Sequence, residues 1–403
     1  KLLTDKSGQY AEIQSGRLFN QNVFKSSYTP FKQRGFTPYQ SDSWSEYWYP
    51  FSRTKGVGIA DLNGVADVQL HADSLKIYLS PVSKIADTLY LYDDKENVIY
   101  REKVSLEPLE SFSKTIALKQ GQKIGSLSLH GSHINISDTK EKDLDRPAEP
   151  YAGFDWKSGY GLYLLGRDAA NHRTYAIAED YIRRSLRQEA FFMPAIVEMS
   201  LLQYRKMNYD SAYYFAKKAL SIDTYDPAAN YYYGLAAKKL NKRYDALDGF
   251  EVASLSISFR SAAFTELSKM YLEKTDYAKA YEYAVRSLEN NSHNTTSLQL
   301  QLVASGLMNH PKDEEKIKQA LLRIDPLNHL VAFEEFWKNK NESSKNNFQD
   351  DIRNELPAET YLELAIWYYN INRIDESKAI INMAPQNNEI QYSCIPLTSQ
   401  EYN

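Results

Sequence analysis

The 403-residue chain holds a single cysteine, Cys394, so no disulfide can form within it. A bridge-stapled small fold is excluded; a reducing compartment, or export without disulfides, is what this leaves. No apolar run approaches 18 residues, which excludes a membrane-spanning helix. Positive charge is not in excess either. Against 52 Asp and Glu stand 48 Lys and Arg, for a net charge of -4, so the footprint of a nucleic-acid binder is missing. Missing too are the short catalytic patterns: no Ser–His–Asp order, no HExxH and no Walker motif. "KGVGIADLNG" has glycines, but not the strand before and helix after that a phosphate cradle needs. His130 and His133 of "HGSH" lie three apart in an expected strand and would face opposite sides, so no metal site is expected, and no cofactor. No leader opens the chain, which starts at Lys1 and reads as a mature or trimmed form.

What the chain has in plenty is tyrosine, 32 residues against 16 phenylalanines. Tyrosine carries a large apolar body with a polar tip and suits half-exposed packing and recognition surfaces. The second half also repeats. Ala178, Ala212, Ala246 and Ala280 stand 34 residues apart. Twelve residues before each comes Gly166, Ser200, Gly234 or Ser268, and seven after comes Ser185, Ala219, Ala253 or Ser287. A 34-residue period is that of a helix–turn–helix solenoid. Small residues on both helices let the axes approach closely, where a larger side chain would push them apart. Ala236, off this grid, is expected to tolerate enlargement better than Ala246. "KMNYDSA", "LNKRYDA" and "EKTDYAKA" supply the turns.

These residues resemble tetratricopeptide repeats, placed at 159–192, 193–226, 227–260 and 261–294. A fifth, 295–328, keeps Pro326 but has Leu302 and Glu314 at the small positions. A sixth is expected at 358–391. The stretch "KNKNESSKNNFQDD" lacks periodicity and is expected to be a loop or frayed helix. From the resemblance, positions 5, 9, 12 and 13 of each first helix line the inner groove: Tyr163, Arg167, Asn171, Tyr204, Arg205, Tyr231, Lys238, Lys239 and Lys269. That groove would be aromatic and basic, suited to an acidic peptide or a glycan-bearing partner. The clamp for carboxylate tails needs asparagine at position 9, where this chain has Arg167, Leu201, Leu235 and Lys269. By register, Tyr233 is expected on the packed face.

Between 64 and 140, seven short runs alternate with period two, from "VADVQLHA" through "TLYLYD" to "HINISD". Turn clusters separate them, and an immunoglobulin-like β-sandwich is the economical fold. The expected fold class is therefore multidomain α and β: a β-rich segment at 1–63, a sandwich at 64–140, a linker at 141–158, and repeats from 159, degenerate beyond 328. The first 63 residues are too few for a core of their own.

"WSEYWYPF", 44–51, is either a sugar-stacking platform or a plug at a domain seam, with the seam expected to bury Trp44 and Trp48. Together with "YAEIQSGRLFNQ" and the order of parts, it resembles an uncharacterised bacterial family. That family joins a galactose-mutarotase-like β-supersandwich, a small β-sandwich and tetratricopeptide repeats. The resemblance implies a carbohydrate context, a catalytic role for Glu12, and sugar contacts from Gln14, Arg17 and Gln21. Glu46 could serve as the second carboxylate of a glycosidase pair. Two readings stay open. One is a non-catalytic scaffold whose groove binds a peptide or neighbouring domain; the other is the C-terminal part of a carbohydrate-active enzyme.

Overall fold

The computed structural model describes residues 36–136, 153–352 and 357–385. The chain divides into two compact units with boundaries at Asp42/Ser43 and Arg146/Pro147. Residues 36–42 therefore belong with the helices, and each unit is described separately.

The β unit has eight strands among its described residues: β1 (Ile59–Asp61), β2 (Gly64–Leu70), β3 (Ser74–Pro81), β4 (Ile85–Asp93), β5 (Val98–Leu106), β6 (Phe112–Ala117), β7 (Ile124–Leu129) and β8 (Ser132–Asn135). They form two antiparallel sheets, β1-β2-β3-β6 and β5-β4-β7-β8. Strands β2 to β8 correspond one for one to the seven alternating runs. Their order, 2-3-6 facing 5-4-7-8, is that of an immunoglobulin-like sandwich. Alternation puts Leu75, Ile77 and Leu79 of β3 and Leu89 and Leu91 of β4 inside, all buried. The sequence reading missed β1, which is only three residues long and returns to β2 through a two-residue turn pairing Asp61 with Gly64. Gly64 is required there: its φ is +140°, and a Cβ would collide with the Ser80 carbonyl. His130 lies not in a strand but in the β7–β8 turn, with φ of 48°.

The helical unit is a stack of hairpins. They are α1 (Gly159–Asn171) with α2 (Tyr175–Gln188), α3 (Met193–Arg205) with α4 (Tyr209–Leu220), α5 (Pro227–Lys239) with α6 (Arg243–Ala253), and α7 (Ile257–Glu273) with α8 (Tyr277–Asn290). Then follow α9 (Thr295–Leu307) with α10 (Pro311–Ile324), α11 (His329–Asn339) with α12 (Glu342–Asp350), and α13 (Pro357–Tyr369) with α14 (Ile374–Met383). From α1 to α11 each odd helix also packs on the next odd one, α1 on α3, α3 on α5 and so on to α9 on α11, so the odd helices form the inner layer.

The small-residue grid is where the paired helices cross. Ala178, Ala212, Ala246 and Ala280 are wholly buried. A Cβ on Gly234 would lie 2.8 Å from the Phe250 ring, and one on Gly166 2.6 Å from Ile182. Where serine replaces glycine, its hydroxyl donates to the facing carbonyl, Ser200 to Ala212 at 2.8 Å and Ser268 to Ala280 at 2.7 Å. The last hairpin exchanges the roles, with Ser377 donating to Ala365 at 2.9 Å. The period is also written into the backbone. Arg173, Met207, Asn241, Thr275 and Asn309 all have φ near +60°, between 57° and 61°, and Asn372 joins them in the last hairpin. Each ends an odd helix in a left-handed turn, and the next amide bonds back five residues, as from Asn208 to Gln203.

Two expectations about the helices are corrected. "KNKNESSKNNFQDD" is mostly helix α12, capped by the Asn341 side chain on Ser344 N–H at 2.9 Å and anchored by the fully buried Phe348. One aromatic against Phe333 and Tyr361 holds a helix that its polar composition hid. Ala236 is as buried as Ala246, because α5 is packed by odd neighbours as well as by α6.

Ala246→Leu should overpack the α5–α6 crossing and lower stability by about 1–3 kcal/mol. Ala176→Leu, at an exposed α2 position, should change it by less than about 0.5 kcal/mol. Equal shifts in thermal unfolding would contradict the crossing assignment.

Candidate functional site

The inner layer carries alternating charges and rings. Its best-defined point lies on α5 and α7, where Glu266 and Lys269 stand one turn apart on α7, bonded at 2.7 Å. Lys238 of α5 lies 3.6 Å from Glu266 and 2.8 Å from Glu273. Both Glu266 and Lys269 are removed from solvent, with side chains 7% and 16% exposed. Burial works against both ions, but the two lysines outweigh it and hold the Glu266 carboxyl down at about 2. Burial likewise works against the Lys269 ammonium; Glu266 and the Tyr39 hydroxyl hold it above its ordinary value.

Into this pair reaches Tyr39, more than two hundred residues earlier in the chain. Its hydroxyl donates to Glu266 at 3.0 Å and accepts from the Lys269 ammonium, which also lies 4.9 Å from the ring centroid. Asn291 Nδ2 donates to the Tyr39 carbonyl at 2.6 Å, and Ser41 Oγ donates to Asn291 Oδ1 at 2.7 Å. Residues 37–40 make a turn closed by Gln40 N–H to the Thr37 carbonyl at 3.1 Å, with Pro38 second and Tyr39 third. Tyr39 takes φ of +54° there, a position usually left to glycine or asparagine. Burial, then Glu266, pushes the Tyr39 phenol up to about 12.

Against the expected groove residues the outcome is mixed. Lys238 and Lys269 sit at this point, each ion-paired. Tyr204 is half-buried beside it, its phenol pushed up by burial and then by Glu266. Tyr231 is 3% exposed and packs on Phe250 and Phe259, with its phenol pushed up by burial and then by the nearby Glu266 and Tyr39. Tyr233, placed by register in the packed face, is instead half-buried and stacked on Tyr213. Lys239 and Asn171 are exposed at the ends of their helices. At the α1–α3 end, half-buried Tyr163 lies under Arg167 with 5.9 Å to the ring centroid, and exposed Arg205 covers Tyr175 at 5.3 Å. Between the two arginines sits Glu198, whose carboxyl burial pushes up although both arginines pull it down. The basic strip is thus interrupted by Glu198, Glu266 and Glu273. The first two occupy position 6 of their repeats, a row that position rules for the groove pass over.

Around the degenerate fifth repeat the packing opens. A cavity of about 370 Å³ is bounded by Leu302, Glu314, Glu334, Trp337, Arg373 and Glu376. Burial pushes the Glu334 carboxyl up to about 7 despite the hydrogen bond it accepts from Tyr368.

Glu12, Gln14, Arg17 and Gln21 lie outside the described residues. Glu46 is described: its carboxylate accepts from the indole N–H of Trp44 at 2.7 Å and of Trp48 at 3.2 Å. The two indoles are 57% and 68% exposed, which corrects the expected burial at a seam. Tyr49 of this stretch is half-buried, its hydroxyl donating to the Asp61 carbonyl at 2.8 Å beside the β1–β2 turn. Among the described residues no group of acidic, histidine and cysteine side chains could hold a metal ion, and no helix is long and apolar enough to cross a membrane.

A family described as a domain of unknown function (DUF5107) matches residues 1–51. No curated protein matches the chain. Among solved structures it is similar to a tetratricopeptide repeat protein from Parabacteroides merdae, at 13% identity and a TM-score of 0.43, over 59% of this chain and 98% of that one. Pseudomonas aeruginosa PilF is similar at 14% identity and a TM-score of 0.42, over 59% of this chain and 97% of its own. YrrB, described as a TPR protein with an unusual peptide-binding site, gives 13% and 0.37 over 43% and 90%. The DUF5107 match includes Tyr39 and the Trp44–Trp48 pair. None of these likenesses extends to a galactose-mutarotase-like domain.

The carboxyl of Glu266 titrates at about 2 in the folded chain against 4.5 ordinarily. Its contribution to stability is therefore whole above about pH 4.5 and is lost as pH falls toward 2. Glu266→Gln should cost about 3–5 kcal/mol at neutral pH by leaving Lys269 buried without its carboxylate. The variant should also show a shallower loss on acidification. Urea unfolding between pH 2 and 7 measures both, and equal pH slopes would refute the pairing. Separately, iodide should readily quench fluorescence from Trp44 and Trp48, read as the signal lost in a Trp44→Phe, Trp48→Phe variant. Signal shielded from iodide would return these rings to a seam.

Proposed function

We propose that the protein is a non-catalytic interaction scaffold whose inner groove binds a peptide segment or neighbouring domain of a protein partner. The observation that carries this is that a short non-helical segment, residues 37–41, already lies on the inner layer, gripped by a side chain and by its main chain. Main-chain hydrogen bonds with one anchoring side chain are how repeat and sheet surfaces commonly hold peptides. Toward α1 and α3 the groove presents Arg167 and Arg205, both exposed, with aromatic bodies beneath them. Half-buried Glu198 lies between them, its carboxyl pushed up by burial and pulled down by both arginines, and the exposed guanidinium groups suit an acidic segment.

A carbohydrate-related context, with the alternative that the chain is the C-terminal part of a carbohydrate-active enzyme, is favoured by the exposed Trp44 and Trp48 rings. Sugar rings stack on such faces. Glu46, with both oxygens accepting from indoles, is better suited to fixing those rings than to acid–base work.

An acidic peptide should bind with an affinity that falls as salt rises, because exposed charges are screened over about 8–10 Å at physiological ionic strength. Arg167→Glu with Arg205→Glu should weaken it at least tenfold more than Lys312→Glu with Lys316→Glu, a pair exposed on α10. Calorimetric titration at two salt concentrations reads this. Equal effects of the two pairs would remove the groove from the binding.

A further inference from the structure

We infer that the seat of Tyr39 is a receptor for a tyrosine-bearing turn, filled in cis by residues 37–41 and open to the same turn presented by a second polypeptide. The inference rests on the scaffold reading and names the chemistry of one partner.

The seat is selective for a phenol. Glu266 needs a donor and Lys269 an acceptor at the same point, and one hydroxyl serves both. Phenylalanine would fill the space without either bond. A phosphotyrosine would bring close to two negative charges and extra bulk against the Glu266 carboxylate. The main chain is recognised too, since Asn291 donates to the tyrosine carbonyl and accepts from the serine two residues on. The sequence Pro-Tyr-x-Ser is thus read at three points.

The seat is also exchangeable. Thr37, Pro38 and Tyr39 are half-buried, while Gln40, Ser41 and Asp42 are exposed, as is Phe36. Little surface is committed around one anchor. The positive φ of Tyr39 is a strained conformation that a free strap has no reason to hold. A strap held at the Tyr39 hydroxyl, the Tyr39 carbonyl and Ser41, against its own backbone preference, can exchange with an equivalent turn that competes.

The test uses the full chain carrying Tyr39→Ala, which empties the seat, and the synthetic blocked peptide RGFTPYQSDS, residues 34–43. Calorimetry should give saturable binding to the variant and at least tenfold weaker binding to the wild-type chain, where the strap competes. A peptide with phenylalanine for the tyrosine should bind at least tenfold more weakly, having lost both charge-assisted hydrogen bonds, and a phosphotyrosine peptide should not bind. Adding Lys269→Met should weaken the parent peptide. Because Tyr39→Ala could impair folding, hydrogen exchange on the wild-type chain is the second arm. Excess parent peptide should speed exchange of residues 37–41, and the phosphotyrosine peptide should not. No binding to a folded variant, equal binding of the three peptides, or unchanged exchange would each overturn the proposal. An acidic peptide still held at Arg167 and Arg205 would leave the scaffold reading standing.

Discussion

Each hairpin of the helical unit depends on how closely its two helices can approach, and that is fixed by one or two atoms. At Gly234 the absent Cβ makes room for the Phe250 ring, and at Gly166 for Ile182. At Ser200 and Ser268 the extra hydroxyl is tolerated because it donates to the opposing carbonyl instead of wedging the helices apart. The odd helices can form a continuous inner layer only if every hairpin has the same thickness, so the surface that presents Arg167, Lys238, Glu266 and Lys269 together is a consequence of these crossings.

Where the grid fails, the consequence is local and visible. Leu302 and Glu314 occupy the small positions of the fifth repeat, and Glu314 turns out to pair with Lys338 of α11 at 2.8 Å. Cavities open on both flanks of α11, of about 370 Å³ toward α14 and 470 Å³ toward α13. Glu334 lines the first of these with Glu314, Arg373 and Glu376, its carboxyl pushed up to about 7 chiefly by burial. The same chain thus has a close-packed run of hairpins and a looser run, distinguished by two residues per repeat.

Much of this was legible from the residues because period carries the information. The seven alternating runs became β2 to β8, and the 34-residue spacing became the hairpins. What stayed hidden has a physical reason in each case. Strand β1 is shorter than the alternation needed to see it. Helix α12 is held by one buried aromatic, Phe348, within a polar stretch. Tyr231 was assigned to the groove by position, but it is buried, with Phe259 of the first turn of α7 and Phe250 of α6 against its ring. Trp44 and Trp48 looked like buried bulk, whereas a carboxylate placed between their N–H groups lets both stay exposed. No local pattern could reveal the contact between Tyr39 and Glu266, which crosses more than two hundred residues.

That contact also changes how the charge of the groove is to be understood. A count of lysines along the inner layer gives a basic strip, and a basic strip in an acidic protein asks for an acidic ligand. At α5 and α7 the demand is already met: Glu266 satisfies Lys269 and Lys238, Glu273 satisfies Lys238 again, and the remaining hydrogen-bonding capacity is directed at a neutral hydroxyl. At α1 and α3 the acid between the arginines, Glu198, is half-buried, whereas both guanidinium groups are exposed. The two ends therefore differ in kind rather than in strength, one reading a hydrogen-bonding group and the other a charge. A single peptide satisfying both would carry a tyrosine turn and an acidic stretch separated by the rise from α7 back to α1. The chain's own strap supplies the first of these: Asp42 is the one acidic residue in its described part before the unit boundary.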